Sequence, residues 1–262
     1  MMIGDPGSLR RDHAHLAVPD WLTARPIAHR GLHDAARGII ENTASAAAAA
    51  VAGGYGIEVD LQLSRDGEAM VHHDDALGRL TDGSGPLVGL STAELKRIPF
   101  RATSDRMMTL GDLCDLVAGR VTLVLEVKSR FDRDARLLAR IMQVLAAYEG
   151  PVAAMSFDPY VVVELRRMAP HLKRGIVAER RFDHAERKGM SSWQRHGMAH
   201  LLHVPVTRPD FVAYRVDDLP APATRLAWLF GMRVLTWTVR NAAQRARAAA
   251  WADQMIFEGF RP

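Results

Sequence analysis

The sequence predicts an α/β fold, a (β/α)8 TIM-type barrel with a small insertion after the second strand region. Two observations carry this expectation. Short apolar runs of strand character alternate with longer helical stretches along nearly the whole chain, and the strand–helix units number close to eight. Alternation of this kind implies a parallel sheet covered by helices.

Each element has its own signal. Residues 26–29 read as a strand. Residues 42–52 are alanine-rich and helical, with Asn42 or Thr43 as N-cap and Gly53-Gly54 ending the helix. Residues 57–63 alternate Ile, Glu, Val, Asp, Leu, Gln, Leu, the period of a strand, and 69–72 continue it after an Asp66-Gly67 turn. Residues 109–117 look helical, 121–128 form a clear strand, and 132–148 a helix broken at Gly150-Pro151. Then come a strand at 152–156, a helix at 159–168, a strand at 174–178, a helix at 182–196 and a short strand at 201–204. A helix at 224–231, a strand at 233–239, a helix at 242–252 and a strand at 254–257 complete the series.

Two stretches fit poorly. Residues 75–108 carry Gly83, Gly85, Pro86, Gly89 and Pro99 around one short helix at Thr92–Arg97, and are expected as an insertion between barrel elements. Residues 205–223, with Pro205, Pro209, Pro220 and Pro222, are expected as an irregular loop near the top of the barrel. The domain expectation is an N-terminal extension over 1–25 and a single barrel domain over 26–262.

A chain of 262 residues buries roughly three quarters of its unfolded surface on folding. Its 48% hydrophobic and 24% charged residues are ordinary for a globular protein. No run approaches the ~18 apolar residues of a membrane helix, and residues 1–25 hold no apolar core of a secretory signal. The single cysteine, Cys114, excludes an intramolecular disulfide. These features point to the cytoplasm. A net charge of +4 and a pI near 9.6 favour anionic ligands, but the basic residues are too scattered for a nucleic-acid partner. A weak membrane-surface contact through Trp21-Leu22 is disfavoured, because Arg10 and Arg11 are fewer basic residues than lipid-binding clusters carry. The oligomeric state is left open.

The chemistry concentrates in residues 27–85. Glu58 and Asp60 lie two apart on one strand and so share a face. Two carboxylates side by side repel, a cost that a hard divalent cation such as Mg²⁺ or Ca²⁺ relieves; an exposed polar face of an edge strand is the plainer alternative. Glu126 and Lys128 repeat the pattern at the C-terminal end of the 121–128 strand, where barrel active sites form. His29-Arg30-Gly31 follows the first strand, Arg supplying the planar fork that suits phosphate oxygens. Of His72 and His73, adjacent on a strand, at most one faces the site. A lone histidine at a strand end is most often structural, so these residues gain meaning only together.

Together they resemble the glycerophosphodiester phosphodiesterases. The family pattern of His-Arg-Gly, Glu-Asn-Thr, Glu-x-Asp and a His-Asp followed by spaced Leu, Arg, Thr, Gly and Gly is matched by His29-Arg30-Gly31, Glu41-Asn42-Thr43, Glu58-Val59-Asp60, and His73-Asp74 with Leu77, Arg79, Thr81, Gly83 and Gly85. The trailing residues identify His73, not His72, as the family histidine. Glu126-Val127-Lys128, Ser156-Phe157 and Trp237-Thr238-Val239 extend the resemblance over nearly the whole chain.

The resemblance implies a metal-dependent hydrolase that releases sn-glycerol 3-phosphate and an alcohol. It implies His29 and His73 as the acid/base pair, with Mg²⁺ or Ca²⁺ held by Glu58, Asp60 and Glu126. Glu41 would be a metal ligand or lie just behind the ligands. Arg30 and Lys128 would contact the phosphate and Trp237 would line the pocket near the alcohol. A lysophospholipase D, a cyclising lyase of the sphingomyelinase D kind and a non-catalytic phosphodiester-binding barrel are the rival readings. Two departures stand out. Where the family ends on an Ile-x-Thr-Asp-x-Pro-like segment, this chain has Ile256-Phe257-Glu258-Gly259-Phe260-Arg261-Pro262, and Arg240 precedes Asn241 where the family often has Asn directly after the Trp-Thr-Val motif.

Overall fold

A computed structural model describes residues 20–181 and 191–262. Eight parallel strands form the wall: β1 (Ile27–Ala28), β2 (Gly56–Leu63), β3 (Leu123–Val127), β4 (Val152–Ser156), β5 (Lys173–Ala178), β6 (Phe211–Arg215), β7 (Arg233–Val239) and β8 (Gln254–Phe257). Each pairs with the next in sequence, and β1 pairs with both β8 and β2, so the sheet closes on itself. Closure removes every free edge, and so β2 presents no exposed edge on which Glu58 and Asp60 could be solvated.

Helices cover the outside. The larger ones are α1 (Ala44–Ala52), α2 (Thr92–Arg97), α3 (Leu110–Val117), α4 (Arg136–Leu145), α5 (Pro159–Met168), α6 (Ser192–Ala199), α7 (Val204–Thr207), α8 (Pro222–Leu229) and α9 (Ala242–Trp251). Their starts follow local chemistry. Thr43 caps α1 by accepting from the Ala46 amide, and Thr109 with Asp112 forms a capping box at α3. Val59, Leu125, Leu138 and Leu165 belong to the apolar layer between wall and helices. The lumen is filled at its N-terminal end by Leu22, Ile27, Val124, Val177, Phe211 and Leu235. Leu22 is fully buried there, worth about 1.5–3 kcal/mol for a side chain of this size. Its neighbours tie the segment to the barrel, Thr122 Oγ1 donating to Trp21 O and Gln254 Nε2 to Thr23 O. Trp21-Leu22, considered above as a membrane contact, therefore faces the barrel.

Residues 75–108 hold a two-stranded hairpin, Ala76–Leu77 with Gly85–Pro86, and α2, and their Leu87, Leu95 and Met107 share a small core with Met70 and Ile40. Residues 69–71 return antiparallel to β2 and carry the chain to His73.

Three expectations are corrected. Residues 201–204 are not a strand; 201–203 form a turn and Val204 begins α7. The sixth strand is Phe211–Arg215, inside the stretch expected to be an irregular loop. Prolines at 205, 209, 220 and 222 suggested a loop, yet they flank this run without interrupting it, and Pro205 sits in the first turn of α7, where a missing N–H costs nothing. The helix expected over 132–148 is confined to Arg136–Leu145. Of the one expected over 182–196, residues 182–190 lie outside the described residues and the rest falls in α6. Among the described residues no helix is long and apolar enough to cross a membrane.

Candidate active site

The C-terminal ends of β1, β2, β3, β7 and β8, with the segment after residues 69–71, surround a cavity of about 250 Å³ lined by His29, Arg30, Glu58, His73, Glu126, Lys128, Phe157, Trp237 and Arg240 among others. A second cavity of about 310 Å³ adjoins it, sharing His73 and Lys128 and opening toward Gln62, Asp75, Asp132 and Arg136.

Three carboxylates form the floor. Glu58 and Asp60 alternate with outward-facing Val59 on β2, and Asp60 stands directly across from Glu126 in the β2–β3 register. All three are buried, and each offers an oxygen within 4.8 Å of the others. Burial pushes the Glu58 carboxyl well above its ordinary value, and the charges of Asp60 and Glu126 push it further. Burial would raise Asp60 too, but Lys128 and Arg30 outweigh it and hold Asp60 far below the usual carboxylate range. A buried set of hard oxygen donors with mutual repulsion fits an Mg²⁺- or Ca²⁺-type ion by its chemistry.

Two cations face the same acids. Lys128 Nζ lies 2.7 Å from Asp60 Oδ1 and 2.6 Å from Glu126 Oε1. Burial would lower the ammonium's pKa, but these two carboxylates raise it instead. Arg30 donates from its backbone to Glu58 Oε2 at 3.1 Å and from Nη1 to Glu41 Oε1 at 2.8 Å. Its Nε is 3.2 Å from Asp60 Oδ2 but buried without a well-aligned hydrogen bond. Arg30 and Gly31 both adopt left-handed backbone conformations, and a Cβ on Gly31 would lie 2.8 Å from the Ala46 backbone on α1. The His-Arg-Gly sequence thus makes a tight turn that α1 closes over. Asn42 completes the floor by donating from Nδ2 to Asp60 Oδ2 at 2.9 Å.

Glu41 is positioned differently from the other acids. Its carboxylate meets Arg30 and Arg79, the latter at 2.6 Å, while the cluster close enough to share an ion comprises Glu58, Asp60 and Glu126. Burial would raise Glu41, but Arg79 and Arg30 hold it low. Its contacts make it a brace for the arginines.

The two histidines are alike in one respect: each has its Nδ1 held by a carboxylate. His73 Nδ1 is 2.8 Å from Asp74 Oδ1, and Asp74 is in turn gripped by Arg79 at 2.6 Å. His29 Nδ1 is 2.5 Å from Glu258 Oε2, while its Nε2 lies 3.9 Å from Glu58. An ionised carboxylate only accepts, so Nδ1 carries the proton in each ring and Nε2 is left available. His72 is buried away from the cavity, its amide bonded to Asp60 O, and burial lowers its pKa. Trp237 stands edge-on to Phe157, ring centroids 5.5 Å apart, and donates its Nε1–H to Ala213 O. That bond fixes the indole as one wall of the cavity.

Glu258 was not expected from the sequence as a site residue; it stood out only as a departure from the family's closing segment. The usable signal was position, an ionisable residue directly after the last predicted strand.

The glycerophosphoryl diester phosphodiesterase family matches residues 29–260. The chain is 31% identical over 161 residues to a glycerophosphodiester phosphodiesterase of Caldanaerobacter subterraneus subsp. tengcongensis, a match covering 58% of this chain and 65% of that one. It is 30% identical over 174 residues to glycerophosphodiester phosphodiesterase 1 of Rattus norvegicus, covering 62% of this chain and 51% of the rat protein. The matches therefore span about half to two thirds of these curated relatives. Among solved structures, an Oleispira antarctica phosphodiesterase in complex with the product sn-glycerol-3-phosphate superposes with a TM-score of 0.73 at 22% identity, covering 90% of this chain and 94% of that one. At that identity the likeness concerns the fold. The match to residues 29–260 takes in wall strands β2 to β8 and every residue of the cavity named above, and by it this chain belongs to the glycerophosphoryl diester phosphodiesterase family.

Proposed function

We propose that this protein is a divalent-metal-dependent hydrolase that cleaves glycerophosphodiesters into sn-glycerol 3-phosphate and an alcohol. The observation that carries the reading is the pairing of two carboxylate-held histidines, His29 and His73, over a floor of three buried acids and two cations. The names of the matched relatives support the same substrate class.

Glu58, Asp60 and Glu126 would hold Mg²⁺ or Ca²⁺, which when bound draws charge from a phosphoryl oxygen. Arg30 and Lys128 lie beside this floor and bring positive charge to the non-bridging oxygens as negative charge builds in the transition state. With Nδ1 protonated toward its carboxylate, each histidine presents Nε2 to the substrate. One takes the proton from the attacking oxygen, a neighbouring glycerol hydroxyl or water, and the other, as imidazolium, returns a proton to the leaving alkoxide. Trp237 and Phe157 form the apolar wall on one side. The adjoining cavity beyond His73 and Lys128 offers room for the alcohol.

The test is release of glycerol 3-phosphate from glycerophosphocholine, glycerophosphoethanolamine, glycerophosphoinositol and lysophosphatidylcholine, each with Mg²⁺, Ca²⁺ or EDTA. Metal-dependent release from a short head-group substrate supports the hydrolase. A cyclic phosphate that persists in the phosphorus NMR spectrum would replace it with a cyclising lyase, and no turnover of any substrate would overturn it.

A further inference from the structure

We infer that Glu258, with Arg240 behind it, is a positioning residue for His29, setting the tautomer and aim of that imidazole. The inference rests on the acid/base role proposed above for His29.

Three features of the geometry carry it. First, the contact is short and specific: Glu258 Oε2 to His29 Nδ1 at 2.5 Å, with both side chains part-buried. Second, the other carboxylate oxygen is already engaged, Arg240 Nε donating to Glu258 Oε1 at 2.5 Å. The carboxylate is therefore gripped from one side and directs its remaining oxygen at the ring. His33 Nε2, the other imidazole nearby, is 3.7 Å away, beyond hydrogen-bond distance. Third, the backbone fixes both partners. His29 N donates to Phe257 O and Glu258 N donates to Val239 O, so the ends of β1, β7 and β8 are laced together at this level. Neither residue can drift without breaking a strand-end hydrogen bond.

The two departures noted in the sequence, Arg240 and Glu258, thus bond to each other and act at one point. Together they give His29 the same kind of support that Arg79 and Asp74 give His73. An orienting carboxylate of this sort stabilises the imidazolium that forms when Nε2 takes up a proton, and disfavours the tautomer with Nδ1 bare.

The experiment uses the full chain with its metal and glycerophosphocholine, or whichever panel substrate the wild type turns over best. Steady-state kinetics are compared for wild type, Glu258→Gln, Glu258→Asp, His29→Ala and the His29→Ala/Glu258→Gln double variant. In parallel, the ¹H spectrum of ¹⁵N-histidine-labelled protein is searched for the strongly hydrogen-bonded His29 Nδ1 proton, assigned by its loss in His29→Ala. Glu258→Gln is expected to fold, to lower kcat by at least ~10-fold with KM little changed, and to add no further loss in the His29→Ala background. The low-field proton should move or vanish in Glu258→Gln, and Glu258→Asp should recover part of both signals. Equal losses in the two backgrounds, or a full-rate Glu258→Gln, would overturn the assignment. So would a low-field proton unchanged by the Gln substitution. The spectral arm reads the contact without turnover, so a protein inactive on the whole panel would defeat the proposed function while leaving the His29–Glu258 pairing separately judged.

Discussion

Lys128 Nζ stands 2.7 Å from Asp60 Oδ1, closing a buried ion pair on the floor of the cavity. Asp60 also accepts from Asn42 and faces Arg30. Glu58, by contrast, accepts a backbone N–H from Arg30 and feels the charges of Arg30 and Lys128, yet its pKa stands raised by burial and by Asp60 and Glu126. The cations present compensate Asp60 better than they compensate the cluster as a whole.

A metal should therefore bind with a measurable gain in stability. The expected result is a rise in Tm when Mg²⁺ or Ca²⁺ is added to EDTA-treated protein, corresponding to about 2.7 kcal/mol at a hundredfold excess over Kd. The rise should disappear in Glu58→Gln/Glu126→Gln, and titration calorimetry should show binding to the wild type alone. An unchanged Tm across all metals would remove the metal reading of this cluster.

The two neighbouring histidines should behave unlike one another. His73 lines both cavities and is held by Asp74, whereas His72 is buried behind the wall. His73→Ala is expected to lower kcat by ~10²-fold or more, the usual scale of lost acid/base catalysis, with the fold intact by circular dichroism. His72→Ala should act mainly on stability. A larger kcat loss from His72→Ala than from His73→Ala would shift the site by one residue.

How much of this could be read from the chain depends on how local each signal was. The barrel was legible because strands such as 152–156 and 233–239 carry short runs rich in apolar and β-branched residues bounded by turn residues, and their observed limits coincide with those expected. The floor was legible because Glu58, Asp60, Glu126 and Lys128 sit two apart on strands, where period two fixes their common face. The sixth strand was missed because the run at 211–214 is only four residues long and lies among prolines, so its identity depends on pairing with β5 and β7, a non-local fact. Glu258 was missed for the same reason. Its partner His29 is 229 residues away in sequence, and only closure of β8 onto β1 brings them together. Glu41 was placed at the metal site, as a ligand or just behind the ligands, by the resemblance alone; that it meets Arg30 and Arg79 is not legible in sequence spacing.

The lumen of the barrel makes a prediction about packing. Gly175 on β5 lies against the ring of Phe211 on β6, and a Cβ added there would come within 2.3 Å of it. Phe211 is fully buried among the apolar side chains of the lower lumen. Gly175→Ala should therefore destabilise by about 1–3 kcal/mol through overpacking, despite alanine's better intrinsic propensity. Urea denaturation should show a lower midpoint with an unchanged slope. Gly175→Ala with Phe211→Leu should recover part of the loss, because the smaller side chain vacates the contested volume. A Gly175→Ala protein as stable as the wild type would show that the ring can shift.

His203 supplies a prediction about pH. Its Nδ1 is 3.3 Å from Thr207 Oγ1, and its Nε2 is buried with no hydrogen-bond partner. Burial lowers its pKa from 6.5 to about 4. Between those two values the unfolded chain holds a proton that the folded chain does not. Stability from this group is therefore fully present above about pH 6.5, declines as the pH falls, and levels off below about pH 4. The slope in that window is at most about 1.4 kcal/mol per pH unit. It falls below that limit because the side chain is only partly buried and water screens the rest. Substituting His203→Leu removes the titration while keeping a side chain of similar bulk. The difference in unfolding free energy between wild type and His203→Leu, measured by urea denaturation at pH 7.5, 6.5, 5.5 and 4.5, cancels the groups the two proteins share. That difference should hold steady from pH 7.5 to 6.5 and then move in favour of the leucine variant as the pH falls. A difference that stays flat down to pH 4.5 would mean that His203 takes up its proton as readily in the folded protein as in the unfolded chain.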